Sequence, residues 1–215
     1  MAAGMRHAKR PVSALLAGPY GHPYHPMLVT IPVGAWVISL GFDVASHVAH
    51  RPGFLASGSE WLIGAGLIGA IVAGIAGFLD LAGIPAGTRA FRTACTHMFI
   101  NVTLIFAYGA NFAWRYHGYA RGAPVGGNKI ALSLACVAAL AISGYLGGKL
   151  TYRYGVRVAA EASQADGFVA ASTRATQGTR SAAACHVTAT ESLPTARTSQ
   201  ADRRRRQRRP PRRAR

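Results

Sequence analysis

The chain has 215 residues, of which 50% are hydrophobic and only 14% are charged, a balance that excludes an ordinary soluble domain with a solvated surface. Its 24 basic and 7 acidic residues give a formal net charge of +17, and nine of the basic residues fall within residues 203–215. The three cysteines form no CxxC pair, so they support neither a disulfide framework nor a cysteine-rich metal site. We therefore expect an integral membrane protein.

Four apolar stretches of 21 to 23 residues each predict four transmembrane helices. They cover about residues 27–48, 61–83, 94–114 and 130–150. At roughly 1.5 Å per residue, each stretch is long enough to cross a hydrocarbon core of about 30 Å. The sequence thus predicts an all-α fold, an integral membrane four-helix bundle with short loops that contacts the lipid bilayer.

Composition divides the chain into three parts. Residues 1–20 form an N-terminal segment, residues 21–158 hold the four-helix domain, and residues 159–215 are rich in Ser, Thr, Ala and Arg without apolar periodicity. The last part cannot bury a core and is predicted to be a disordered tail. Its arginines would be drawn to anionic lipid, while the lack of interleaved aromatic residues argues against specific nucleic-acid binding.

Basic residues near the ends of the four stretches predict the orientation in the membrane. Eight lie on one side: Arg6, Lys9, Arg10, Arg89, Arg92, Lys149, Arg153 and Arg157. Four lie on the other: Arg51, Arg115, Arg121 and Lys129. Because cytoplasmic loops carry the excess of Lys and Arg, both termini are predicted to be cytoplasmic.

Two histidines, His22 and His25, alternate with prolines immediately before the first stretch. Each proline fixes its own φ and pushes the residue before it out of the helical region, so the imidazoles lie on a stiff segment. Such a pair could bind a metal, ligate haem or relay protons. It could equally anchor the chain at the membrane interface, with its rings bonded to loop backbone.

Three further polar residues are predicted to lie at the depth of His25. Asp80 ends the second stretch, His97 begins the third, and Asn101 follows one helical turn later on the same face. Ionisable residues inside a membrane are functional candidates that have partners, and Asp80 is expected to pair with His97 or with Lys149. The candidate ligand or proton-relay cluster is therefore His22, His25, Asp80, His97 and Asn101, and any metal would be bound by His25 and His97.

At the opposite end, Asp43 precedes His47 and His50 on one helical face, and Arg115 and His117 leave the third stretch. The simplest interpretation is a structural ion pair between Asp43 and Arg115. A second ligand layer built from His47 and His117 is the less economical alternative.

Small residues recur every four positions along the second stretch. They form two rows: Ala65, Gly69, Ala73 and Gly77, and then Gly66, Ala70 and Gly74. Rows of this kind let neighbouring helix backbones approach closely. We expect the second helix to make the tightest packing contacts.

The chain resembles the bacterial membrane family known as domain of unknown function 2231. The resemblance rests on residues 21–32 with their HPYHP motif, on Phe42-Asp43, on residues 77–80, on His97 with Asn101, and on residues 146–156, GGKLTYRYGV with its preceding Leu. It implies a four-helix protein of the bacterial inner membrane but supplies no reaction. Some members of the family look fused to Rieske iron–sulfur domains, which favours an electron-transfer partner.

Three functions remain open from the sequence. One is a redox subunit in which His97, with His25 or His22, binds a b-type haem or another metal, or relays protons to an electron-transfer partner. Another is a small ion, proton or solute transporter that uses Asp80 and His97, and the third is a non-catalytic structural subunit. No nucleophile elbow, phosphate loop or HExxH motif is present, so a stand-alone enzyme is not expected.

Overall fold

The computed structural model of the chain describes residues 2–117, 122–165 and 168, which form helices and turns without a strand. The elements are α1 (Ala2–Lys9), α2 (Ala14–Ala17), α3 (His25–Leu28), α4 (Thr30–Ala45), α5 (Pro52–Ala82), α6 (Arg89–His117), α7 (Gly127–Gly148), a π-helical turn (Lys149–Arg153) and α8 (Glu161–Ala165). The all-α prediction is confirmed. The chain divides into two units, Met1–Glu161 and Ala162–Arg215, and the description that follows concerns the first.

Four helical segments are long and apolar enough to cross a membrane: His25–Ala45, Pro52–Ala82, Arg89–Tyr116 and Gly127–Arg153. Each overlaps one of the four predicted stretches, which confirms the four-helix membrane fold. The tail predicted over residues 159–215 lies outside the described residues, apart from 159–165 and 168.

The ends of the four spans differ from the prediction by one to nine residues, and the largest difference is at the start of α5. α5 starts at Pro52, nine residues before the predicted start at 61, because proline suits the first turn of a helix and the polar residues that follow continue that helix. The first span is interrupted at Val29 between α3 and α4. Pro32 has no N–H to donate to the carbonyl of Leu28, so the α-helical ladder cannot run unbroken through this point.

The core lies where all four spans meet. It is built from Trp36 of α4, Ile63 and Ala70 of α5, Leu104 and Tyr108 of α6, and Cys136 of α7. The rings of Trp36 and Tyr108 are stacked, with centroids 4.1 Å apart and planes inclined by 16°. The opposite surfaces of the helices carry many exposed apolar side chains, as expected of a surface in contact with lipid.

The small residues of α5 make close contacts at three of their glycines. Gly66 faces Trp36, Gly69 faces Ile31, and Gly77 faces His25. A Cβ atom built on Gly69 would lie 2.6 Å from Cγ2 of Ile31. By contrast, Gly74 has nothing within 4 Å of such an atom. The predicted small-residue rows are therefore packing surfaces in part only.

The N-terminal segment packs against the same end of the bundle as the chain that follows α7. A second apolar cluster joins Ala8 of α1 to Ile84, Ala94, Leu150 and Val156. The backbone N–H of Arg157 donates to the carbonyl of Ala8 at 3.1 Å. These contacts close the end of the bundle at which α5 ends and α6 begins.

Candidate functional site

Two histidines from different helices face each other near the closed end of the bundle. Nδ1 of His25 lies 2.8 Å from the carbonyl oxygen of Ala73 in α5. Nδ1 of His97 lies 2.9 Å from the carbonyl oxygen of Ser143 in α7. The ring centroids are 6.2 Å apart and the planes are nearly perpendicular, at 88°. Because a carbonyl can only accept, each Nδ1 is assigned the ring proton, and each Nε2 is left as an acceptor.

Asn101 and Ser143 complete this arrangement, which we call the His layer (His25, His97, Asn101 and Ser143). Nδ2 of Asn101 lies 3.2 Å from Nε2 of His97 and donates to Oγ of Ser143 at 2.7 Å. Nδ2 of Asn101 also lies 2.8 Å from the carbonyl oxygen of His97. The predicted proximity of His25, His97 and Asn101 is present in the structure, and Ser143 is a member that the sequence did not reveal.

Asp80 pairs with a residue that its sequence neighbourhood does not suggest. Its Oδ1 lies 2.8 Å from Nε of Arg157, rather than against His97 or Lys149. Nη2 of Arg157 donates to the carbonyls of Ala17 and Gly18, at 2.9 and 2.7 Å. The expected pairing of Asp80 with His97 or Lys149 is therefore wrong, because the chain after α7 folds back and brings Arg157 to Asp80.

The backbone of residues 155–157 explains how Arg157 reaches this position. Gly155 has φ of 65° and Arg157 has φ of 62°, both in the left-handed region. Glycine adopts that region freely, whereas an arginine there needs compensating contacts. Arg157 is 4% exposed and makes three such contacts through its backbone N–H and Nη2. Lys149 instead lies over the ring of Tyr154, with Nζ 5.9 Å from the centroid.

His22 does not join the His layer. Its side chain is exposed, and in the described part of the chain no hydrogen bond or ring contact links it to His25 or His97. Gly18 and Gly21 have φ of 87° and 79°, and they turn the segment so that only the second histidine of the HPYHP motif enters the bundle. Of the predicted pair of histidines, His25 therefore contacts His97 and His22 does not.

The His layer does not fit a haem. A b-type haem held by His25 and His97 would use their Nε2 atoms, but Nδ2 of Asn101 lies only 3.2 Å from Nε2 of His97, where the haem would have to enter. Helix backbones also press on both rings: a Cβ atom built on Gly77 would lie 2.9 Å from His25, and one on Gly147 would lie 3.2 Å from His97. Among the described residues, no group of three or more His, Cys, Asp or Glu side chains could hold a metal ion.

A second polar cluster lies at the other end of the spans, and we call it the Arg115 layer (Asp43, Ser59, Asn111, Arg115 and Ser133). Two nitrogens of Arg115 contact the two carboxylate oxygens of Asp43, at 2.7 and 2.6 Å. Oγ of Ser59 donates to Asp43 at 2.5 Å, and Nε of Arg115 donates to Oδ1 of Asn111 at 2.9 Å. All five residues are at most 3% exposed. The structure thus brings the predicted pair together within a buried hydrogen-bond network.

The alternative of a second ligand layer depended on His47 and His117. Nε2 of His47 lies 2.9 Å from the carbonyl oxygen of Val125, in the connection that follows α6. The side chain of His117 lies outside what the structure describes. The described contact of His47 is therefore one that fixes a loop.

Tyr108 lies between the two layers. It is fully buried against Trp36, and its hydroxyl has no hydrogen-bond partner among the described residues. It belongs to a polar row on one face of α6: His97, Asn101, Tyr108, Asn111 and Arg115. Each residue of the row follows the one before it by about one or two helical turns of 3.6 residues. From His97 to Arg115 the row extends over 18 residues, or about 27 Å. This regular spacing is visible in the sequence and could have identified the polar row.

The architecture agrees with the comparison of this chain with known families. No curated protein and no solved structure matches the chain. A family model described as predicted membrane protein matches residues 21–160, which include both layers and all four spans. The chain belongs to this family of predicted membrane proteins, domain of unknown function 2231.

Proposed function

We propose that this protein relays protons along the interior face of α6, between the His layer and the Arg115 layer. The observation that carries the proposal is the buried hydroxyl of Tyr108, which lies between two polar layers and has no hydrogen-bond partner among the residues that the structure describes. The row to which it belongs is about 27 Å long, close to the thickness of the hydrocarbon core. Polar groups inside a membrane are costly, so a row of this length favours transport over simple packing.

The chemistry of each layer supports different steps. An imidazole carries both a donor and an acceptor nitrogen, so the rings of His25 and His97 can pass a proton from one ring nitrogen to the other. Asn101 and Ser143 connect His97 to the bundle interior by hydrogen bonds of 2.7 to 3.2 Å. A phenol both donates and accepts, so Tyr108 can pass a proton in either direction.

One step of the route is closed in the present arrangement. Asn101 and Tyr108 are seven residues apart, about 10 Å along the helix, and Leu104 lies buried between them. The stacked ring of Trp36 covers Tyr108 on one side. A proton would cross this step only when water enters it, so packing around Leu104 would act as the gate.

We further propose that both termini face the cytoplasm of a bacterium, with the protein in the inner membrane. Of the eight basic residues assigned to that side, Arg157 is paired with Asp80, and of the four on the other side, Arg115 is paired with Asp43. Leaving out both paired residues, the basic residues are seven against three. The excess of Lys and Arg that marks cytoplasmic loops is kept. The His layer would then lie near the cytoplasmic face.

A redox subunit is less well supported, because its haem form requires ligands that the packing of His25 and His97 does not offer. A Soret band in the purified protein that disappears in His97→Gln would overturn this reading. A proton relay serving an electron-transfer partner would use the same residues and is compatible with the proposal.

The test is proton flux into liposomes that contain the purified protein, driven by a potassium diffusion potential and read by an internal pH dye. Tyr108→Phe removes only the hydroxyl, and His97→Gln keeps a polar side chain that cannot titrate. Both are expected to lower the flux to that of protein-free liposomes.

The matched controls are Tyr145→Phe, on a residue 73% exposed, and His47→Gln, whose ring contacts a loop carbonyl. Both should conduct as the unmodified protein does. If the folded variants Tyr108→Phe and His97→Gln still conduct protons as the unmodified protein does, the relay is excluded. Absence of any flux from the unmodified protein would exclude it as well, in favour of a structural role.

A further inference from the structure

An open cavity of about 340 Å³ lies where α6 begins and α7 ends. Its polar lining consists of Arg89, Arg92, Thr93, Thr96, Lys149 and Tyr154. Lys149 is also the first residue of the π-helical turn, a conformation that is rare and often found at functional sites. None of these residues belongs to the His layer or the Arg115 layer.

The charge of this cavity has one sign. Three cationic side chains line it and no acidic residue does. Asp80, the acidic residue nearest in sequence to Arg89 and Arg92, forms its ion pair with Arg157 and not with a residue of the cavity. A basic cavity with no acidic residue in its lining favours an anion, and arginine and lysine are both common phosphate-binding residues.

The start of α6 adds to this preference. Oγ1 of Thr88 accepts from the backbone N–H of Phe91 at 3.0 Å, which caps the first turn of a helix of 29 residues. The N-terminus of a helix carries a partial positive charge that stabilises a nearby anion. The two arginines of the cavity, Arg89 and Arg92, both belong to this first turn.

Apolar side chains continue from the cavity along both helices towards the membrane centre. On α6, Phe99 and Phe106 follow Thr96 on the same face and are 71% and 73% exposed. On α7, Tyr145 and Ile142 precede Lys149 at spacings of four and seven residues and are 73% and 59% exposed. A molecule that places a phosphate in the cavity therefore finds an apolar surface for hydrocarbon chains beneath it.

We propose that this cavity binds the phosphate headgroup of an anionic phospholipid, with the acyl chains lying along α6 and α7. Basic pockets between transmembrane helices commonly recognise anionic headgroups. The same phosphate chemistry could be supplied by inorganic phosphate, but only a lipid would use the exposed apolar side chains below the cavity. The proposal is independent of the proton relay, because its residues and its ligand are different.

The experiment is a titration of the detergent-purified full chain with dioctanoyl phosphatidylglycerol, dioctanoyl phosphatidylcholine and inorganic phosphate, with bound species counted by native mass spectrometry. We expect phosphatidylglycerol to bind, and we expect no binding of phosphatidylcholine or inorganic phosphate. In the double variant Arg92→Gln with Lys149→Gln, the affinity for phosphatidylglycerol should fall by about fivefold for each charge removed. Arg89→Gln, at an exposed position of the first turn, provides a second variant with one charge removed.

Lys129→Gln is the matched control, because Lys129 also lies over an aromatic ring, with Nζ 6.0 Å from the centroid of Trp114. It lies at the start of α7, away from the cavity, and should bind phosphatidylglycerol as the unmodified chain does. Equal binding of phosphatidylcholine, or an equal loss in Lys129→Gln, would overturn the proposal. Binding of inorganic phosphate as tight as that of phosphatidylglycerol would also overturn it, in favour of a free anion.

Discussion

Arg157 forms an ion pair with Asp80, with 2.8 Å between Nε and Oδ1, and so ties the chain after α7 to the end of α5. The same side chain holds the carbonyls of Ala17 and Gly18, some 140 residues earlier in the chain. One arginine thus connects the chain after α7, the second span and the segment that precedes HPYHP.

Replacing Arg157 by Gln is expected to loosen this end of the bundle. Removing one partner of a buried ion pair typically costs about 3–5 kcal/mol of unfolding free energy, because the other charge is left buried. The loss should be visible in mixed-micelle unfolding and as faster hydrogen exchange in residues 8–20. Arg153→Gln is the control, since Arg153 is exposed on the π-helical turn. Equal effects of the two variants would contradict this role of Arg157.

The Asp43 and Arg115 pair makes a different prediction, because both charges can be removed together. Asp43→Leu or Arg115→Met alone should lower the unfolding free energy by about 3–5 kcal/mol, whereas the double variant should recover most of the loss. Recovery is expected because apolar residues of similar volume leave no unpaired charge in the core. Unfolding in mixed micelles followed by circular dichroism measures all three. A double variant as unstable as the sum of the singles would show that the two residues act separately.

The membrane fold could be predicted from the sequence because hydropathy alone determines which stretches can lie in lipid. The proximity of Asp43 to Arg115 could also be anticipated, since each charge follows a histidine by 18 residues on alternate, parallel spans. His97 and Asn101 share a helical face, so spacing was sufficient there too. These inferences rest on the regular geometry of single helices.

The partner of Asp80 could not be found in this way. It depends on left-handed backbone at Gly155 and Arg157, which turns the chain back towards α1. Ser59 and Ser143 were also missed, because a serine in an apolar helix gives no pattern until the neighbouring helix is known. Contacts between helices depend on rotation about each axis, which hydropathy does not determine.

Tyr108→Phe carries a stability prediction that is separate from its effect on proton flux. A buried hydroxyl without a partner costs about 1–3 kcal/mol, so its removal should leave the unfolding free energy unchanged or raised. Tyr108→Ala should instead lower it by about 3–5 kcal/mol, since it leaves a cavity beside Trp36. Thermal or detergent unfolding distinguishes the two. A clear loss of stability in Tyr108→Phe would reveal a hydrogen bond that the hydroxyl makes in the membrane.

Gly66 and Gly74 of α5 offer a direct test of which small residues are packing surfaces. A Cβ atom on Gly66 would lie 2.5 Å from Cδ1 of Trp36 and closer still to its Nε1, the atom that donates to the carbonyl of Ile63. Gly66→Ala must therefore displace the indole, lose that hydrogen bond and disturb the stacking on Tyr108. The expected cost of such overpacking is about 1–3 kcal/mol of unfolding free energy.

Gly74→Ala is the matched control, because it is the same substitution in the same helix at an exposed position with nothing within 4 Å of the new atom. It should be neutral or slightly stabilising, since alanine loses less conformational freedom than glycine when a helix forms. Tryptophan fluorescence should shift in Gly66→Ala only. Equal tolerance of both substitutions would mean that α4 can move away from α5 at this level, and the contact between Trp36 and Gly66 would then not fix the distance between the two helices.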